Sequence, residues 1–257
     1  MEYLIIGFAA AATSALTFFS GFGLGTLLMP VFAIFFPLDM AITLTAIVHL
    51  LNNIFKLFLV GSKAHSGVAI RFGLPAVVAA FAGAWLLNFL GNLAPILSYE
   101  LFGKIYLILP QKLLVALIII FFAAFELMPS LAGKTFDQKY LVAGGLLSGF
   151  FGGLSGHQGA LRSAFLIRID LPKESFIGTG VLIACLVDLS RLSVYGNHFL
   201  RQGMEENLMF LVVASLCAFC GAWLGNRFMK KITLRAIQII VSVLLFMIAA
   251  GLGAGVI

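Results

Sequence analysis

The chain has 257 residues, 62% of them apolar and only 10% charged, with a mean hydropathy of +1.13. Soluble domains carry roughly 25% charged residues, so a soluble enzyme or binding module is excluded and most of the chain is expected to lie in lipid. The net charge of +6 comes from Lys and Arg near the ends of apolar segments, which reads as a membrane-orientation signal rather than as nucleic-acid binding.

Met1-Glu2-Tyr3 lacks the positive start of a cleaved signal, so the first apolar segment, residues 3–20, is expected to be retained. A break at Gly21-Phe22-Gly23-Leu24-Gly25 follows, and then only about eleven residues before Pro37. Eleven helical residues span about 17 Å, half a membrane. Met40–Val60, Val68–Leu90 and Lys112–Leu127 approach or reach the ~20 residues a helix needs to cross the hydrocarbon, and their continuous apolar character favours helices over barrel strands. Beyond a short linker at 129–138 the order recurs: residues 139–152, a break through Gly152–Gly159, a short run to Ile169, then Ser175–Tyr195, Glu206–Asn226 and Leu234–Gly255. Cys185, Cys217 and Cys220 all fall inside apolar segments, where a disulfide or zinc site is not expected and no cofactor is implied.

The recurrence extends to residues. Ala80-Phe-Ala-Gly-Ala-Trp-Leu-Leu-Asn88 returns as Ala218-Phe-Cys-Gly-Ala-Trp-Leu-Gly-Asn226, which accounts for both tryptophans of the chain. Asn53-x-x-Lys56 has its mate in Asp188-x-x-Arg191, and Ser20–Pro30 matches Ser155–Phe165 more loosely. Two homologous halves, 1–128 and 139–257, are therefore expected. If every piece crosses, the basic connections Lys56/Lys63/Arg71 and Arg227/Lys230/Lys231/Arg235 land on opposite sides, against the positive-inside tendency. If each interrupted segment is a re-entrant hairpin, three crossings remain per half and both basic connections share one side. The fold expected is an all-α polytopic membrane protein of two inverted repeats, each a broken hairpin plus three crossing helices; eight full crossings in parallel repeats is the alternative.

Glycines at a break let backbone N–H groups and the positive end of a helix converge, a geometry suited to an anion. Gly23, Gly25 and Thr26 are the first-half candidates. Ser155, His157, Gln158, Gly159 and Arg162 are the second-half candidates, because polar groups inside an apolar segment are costly and functional by default. Arg162, three residues after Gly159, can share an oxyanion with a helix start there through its planar fork of donors. Asn53 with Asn52 and Lys56, and Arg191 with Asp188, form two polar patches at helical spacing, which His49 extends inward. The plainer alternatives are helix packing through Gly21-x-x-x-Gly25 and Gly152-x-x-x-Gly156, and charge pairs that only hold a bundle together. No motif of a hydrolase or metalloprotease is present, so the chain is not expected to be an enzyme. A channel or a cation- or proton-coupled carrier is disfavoured because only Glu126 and Asp188 lie within or against apolar segments.

The pattern Gly-x-Gly-x-Gly-Thr-Leu-Leu-x-Pro at Gly21–Pro30, its degenerate repeat at 155–165 and the paired Gly-Ala-Trp-Leu resemble the sulfite exporter family TauE/SafE over nearly the whole chain. The resemblance implies transport, generally export, of sulfite, sulfoacetate or another organosulfonate across a bacterial inner membrane. Its partners would be the anion and the lipid bilayer; a homodimer stays open. The second-half stretch departs from the family's glycine-rich, proline-ended pattern, reading Ser-Gly-His-Gln-Gly-Ala-Leu-Arg-Ser with Phe165 near the proline's place.

Overall fold

The computed structural model describes residues 1–20, 24–127, 136–202, 204–228 and 234–257. The first five helices are α1 (Glu2–Ser20), α2 (Leu24–Phe35), α3 (Leu38–Val60), α4 (Ser66–Gly91) and α5 (Pro110–Leu127). The second five are α6 (Leu141–Ser155), α7 (Gly159–Leu166), α8 (Lys173–Gln202), α9 (Met204–Phe228) and α10 (Leu234–Gly253). Four of them, α3, α4, α8 and α9, are long and apolar enough to cross a membrane by length and composition. α2 has 12 residues and α7 has 8, so both are too short to do so, as the sequence predicts. The linker proposed at 129–138 lies largely outside the described residues.

The helices begin and end where the backbone dictates. Pro37 precedes α3, and the His65 side chain caps α4 by accepting from the Val68 N–H at 3.3 Å. Between α4 and α5 the chain departs from helix. β1 (Leu97–Leu101) and β2 (Lys104–Ile108) form an antiparallel hairpin, turned at Phe102 and Gly103 with φ of 50° and 73°. Tyr99 Oη donates to the Ala254 carbonyl at 2.6 Å, which ties the hairpin to the end of α10. Gly103→Val would force a β-branched residue to positive φ and is expected to cost about 1–2 kcal/mol, read as a lower melting temperature in detergent.

Small residues set the helix pairing. A Cβ on Gly145, Gly149 or Gly153 of α6 would lie 2.3, 2.0 and 2.0 Å from the carbonyl oxygens of Phe72, Ala76 and Ala80 on α4. On the other side of the molecule, Gly221 and Gly225 of α9 stand in the same way against Ala11 and Ala15 of α1. Numbers rise together in both pairs, so each pair runs parallel. The repeated Gly-Ala-Trp-Leu is thereby explained: Gly83 meets the Phe150 carbonyl and Gly221 the Ala11 carbonyl, both at 2.1 Å from a built Cβ, while Trp85 and Trp223 point outward. α3 and α8 pack antiparallel, with His49 on Asp188 near their middles and His65 on Thr179 near one end. α5 and α10 also pack antiparallel, with Gly253 on Ala116 and Lys112 donating to the Ile257 carbonyl.

Outward faces carry Phe58, Ile70, Leu74, Val78, Leu216 and Met247, as lipid contact requires. A polar cluster that includes His49, Asn53, Gln158, Arg162, Asp188 and Arg191 is buried inside.

Candidate functional site

Asp188 lies midway along the 30-residue α8 and is fully buried. A carboxylate without water must have its lone pairs filled. His49 of α3 approaches Oδ2 at 2.6 Å and the Asn53 amide donates to the same oxygen at 3.4 Å. Gln158 Nε2 and Arg191 Nε donate to Oδ1 at 3.3 and 3.0 Å. Four donors therefore occupy the carboxylate, and it offers little to a metal or alkali cation. Gln158 is a strut: its Oε1 accepts from Arg162 Nη1 at 3.1 Å, so Arg162 is joined to Asp188 through one amide. On the first-half side, the Asn52 amide, with its oxygen turned to Lys56, accepts from Nζ at 3.2 Å and donates to the Ala218 carbonyl and Ser14 Oγ.

Among the described residues, two buried atoms beside the Gly156 break have no hydrogen-bond partner: His157 Nε2 and Arg191 Nη2. Arg191 Nη2 lies 2.8 Å from Asp188 Oδ1, but off the line of its N–H bonds, so those hydrogens have no acceptor. They lie beside both breaks. A Cβ on Gly156 would come within 2.8 Å of Arg191 Nη1, and one on Gly25, in the first turn of α2, within 3.9 Å of Nη2. Gly25 in turn sits against the Gly156 carbonyl. Gly156 has φ +83°, a left-handed cap that ends α6 and lets α7 restart at Gly159.

Burial and charge decide what such a centre can hold. Among the described side chains, with Lys56 left aside, two guanidiniums face one carboxylate, all buried, and a net positive charge away from water calls for an anion. The positive end of α2 adds to the same field.

The candidates read from sequence distribute as follows. Asn53, Gln158 and Arg191 meet on Asp188 and Arg162 joins them through Gln158; Gly25 lies against Arg191, His157 follows Gly156 against the same guanidinium, and Gly159 opens α7. Thr26 is buried in the first turn of α2. Ser155 is engaged locally, with its hydroxyl against the Phe151 carbonyl at 3.2 Å and His157 Nδ1 at 3.0 Å. Gly23 and the Glu126 side chain lie outside the described residues. The packing reading of Gly152 and Gly156 holds in part: Gly152 lies against Val187 of α8 and Gly145, Gly149 and Gly153 pack α6 onto α4, whereas Gly156 makes the break.

Tyr195 carries no sequence motif, yet its hydroxyl donates to the Gly153 carbonyl, an acceptor that α6 leaves open by ending at Ser155. Tyr195 also floors a cavity of ≈ 120 Å³ lined by Asp39, Thr43, Asn88, Asn92 and Gln111. Thr43 precedes His49 by about 9 Å of helix, so the cavity is separate from the Asp188 centre.

No curated protein matches the chain. The model of one family, described as sulfite exporter TauE/SafE, matches residues 3–252. With that match spanning nearly every helix and the buried cationic centre between the breaks, the chain belongs to the sulfite exporter TauE/SafE family, integral membrane transporters of sulfur anions.

Proposed function

We propose that the protein exports a small sulfur oxyanion, such as sulfite, sulfoacetate or another organosulfonate, across a bacterial inner membrane by alternating access around the Asp188 centre. The observation that carries this reading is Arg191 Nη2: a buried guanidinium nitrogen without an acceptor, placed between the Gly156 break and the first turn of α2. An oxyanion there receives the guanidinium hydrogens and the free N–H groups of α2, while Asp188, His49, Asn53 and Gln158 hold Arg191 in place. Arg162, tied to Gln158, adds positive charge without direct contact.

Two inverted repeats, 1–128 and 139–257, are the scaffold in this reading. The antiparallel pairs α3 with α8 and α5 with α10, and the parallel pairs α1 with α9 and α6 with α4, support it. Exchanging the halves maps this set of pairings onto itself, and the equivalent helices α3 and α8, and α5 and α10, run in opposite directions. The same arrangement puts the α3–α4 and α9–α10 connections on one side, with Tyr195 and its cavity toward the other.

The test is thermal stabilisation of the purified chain by sulfite, thiosulfate, sulfoacetate, taurine, sulfate, formate and divalent metals. A ligand at one hundred times its dissociation constant adds about 2.7 kcal/mol. Stabilisation by sulfur oxyanions is expected, and a response to metals alone would overturn the reading. In Arg191→Lys a single ammonium cannot both hold Asp188 and present a second donor, so the melting temperature without ligand should stay near wild type while affinity falls about ten- to a hundredfold.

A further inference from the structure

The other unpartnered atom, His157 Nε2, is chemically opposite to Arg191 Nη2. The His157 ring stacks on Phe122 of α5 with centroids 5.5 Å apart, and its Nδ1 lies 3.2 Å from the Ser155 carbonyl oxygen. A carbonyl has no hydrogen to give, so Nδ1 carries the N–H; the Ser155 hydroxyl, engaged with the Phe151 carbonyl, accepts from the same edge. This assignment follows from the hydrogen-bond network. In the neutral ring Nε2 is then a bare lone pair, buried and without a donor. His157 directly follows Gly156, against which the Arg191 guanidinium of α8 packs; Arg191 offers hydrogens, whereas Nε2 needs one. A fully ionised anion satisfies Arg191 and is repelled by Nε2.

We propose that the site takes its anion together with one proton, with His157 Nε2 as the proton acceptor. The inference rests on the anion-transport reading of the site. A hydrogen-bearing anion such as hydrogensulfite brings the proton itself: its O–H donates to Nε2 while a charged oxygen accepts from Arg191. An anion with no hydrogen on oxygen, such as an alkyl sulfonate, requires a proton from solvent on Nε2, which turns the lone pair into a donor.

The experiment is calorimetric titration of the full chain in detergent, in amine buffers that lack sulfonate groups and differ in ionisation enthalpy, such as Tris and triethanolamine. With methanesulfonate at about pH 7.5 the buffer dependence should report uptake of about one proton per anion, and affinity should fall about tenfold per unit of rising pH. Sulfite near pH 6, already largely hydrogensulfite, should bind with an uptake near zero. In His157→Gln, whose amide does not titrate, the proton uptake on methanesulfonate binding should disappear. Methanesulfonate binding to the wild type without proton uptake overturns the inference and leaves the anion site standing, and so does unchanged uptake in His157→Gln. Failure of every anion to bind the wild type overturns the anion site itself. The wild-type titrations decide the matter even if the variant does not fold.

Discussion

Asp188→Asn is expected to lower stability by about 3–5 kcal/mol, because it removes the one buried carboxylate among the described residues that balances the guanidiniums around it. Asn keeps the shape but supplies one acceptor oxygen, where Asp188 receives from His49, Asn53, Gln158 and Arg191. Its own amide hydrogens would face Arg191 or His49, donors against donors. For a chain of this size the loss would appear as a drop in melting temperature of roughly 6–20 °C, or as aggregation on extraction. Arg191→Gln alone leaves the carboxylate with three donors and is expected to cost less. The double variant, Asp188→Asn with Arg191→Gln, should recover part of the loss, since an unbalanced charge goes with its partner. If Asp188→Asn melts within about 2 °C of the wild type, Asp188 is not the structural counter-charge and the charge argument for an anion fails with it.

The helices were legible because lipid simplifies the code. Apolar runs of membrane length admit few alternatives, and the short runs after Gly25 and Gly159 announced half-length helices by arithmetic. The polar residues were legible for the same reason: His157, Arg162, Asp188 and Arg191 stand out where most neighbours are Leu, Phe or Ala. What each does was not. Gln158 and Arg162 read as substrate contacts, but in space Gln158 bridges Arg162 to Asp188, and only a three-dimensional neighbour list reveals that. Asp188 and His49 read as members of two separate patches; the antiparallel crossing of α3 and α8 makes them one. Tyr195 was silent because a tyrosine at the polar end of an apolar run is ordinary, and its role depends on a carbonyl 42 residues away. The β-hairpin carried a usable signal in Ser98–Ile108, with Phe-Gly at the turn and aromatic residues on both strands. It was masked by the expectation of helices throughout.

Gly153→Val is expected to abolish the folded protein, and to do so through backbone rather than through charge. Its Cβ would sit 2.0 Å from the Ala80 carbonyl oxygen and 2.7 Å from the Ala80 Cα, where ordinary contact begins at about 3.4 Å, so α4 and α6 must part by more than an ångström. No side chain can swing away, because the obstacle is the backbone of α4. Shortening Ala80 to Gly would not relieve it. Gly83 meets the Phe150 carbonyl of α6 in the same way, so the two helices are locked from both sides. Parting them also displaces Gly153 from the Tyr195 hydroxyl and moves the following turn, Ser155-Gly156-His157, away from Arg191. Overpacking of a core usually costs about 1–3 kcal/mol, and a clash with fixed backbone exceeds that range. Gly253→Ala is the control. Its Cβ would meet only the Ala116 methyl at 3.4 Å, so its melting temperature and anion response should match the wild type. Size-exclusion profiles of the two variants in detergent separate the outcomes: a monodisperse Gly153→Val that still responds to sulfur oxyanions would mean that α6 and the break it carries can shift without loss of the site.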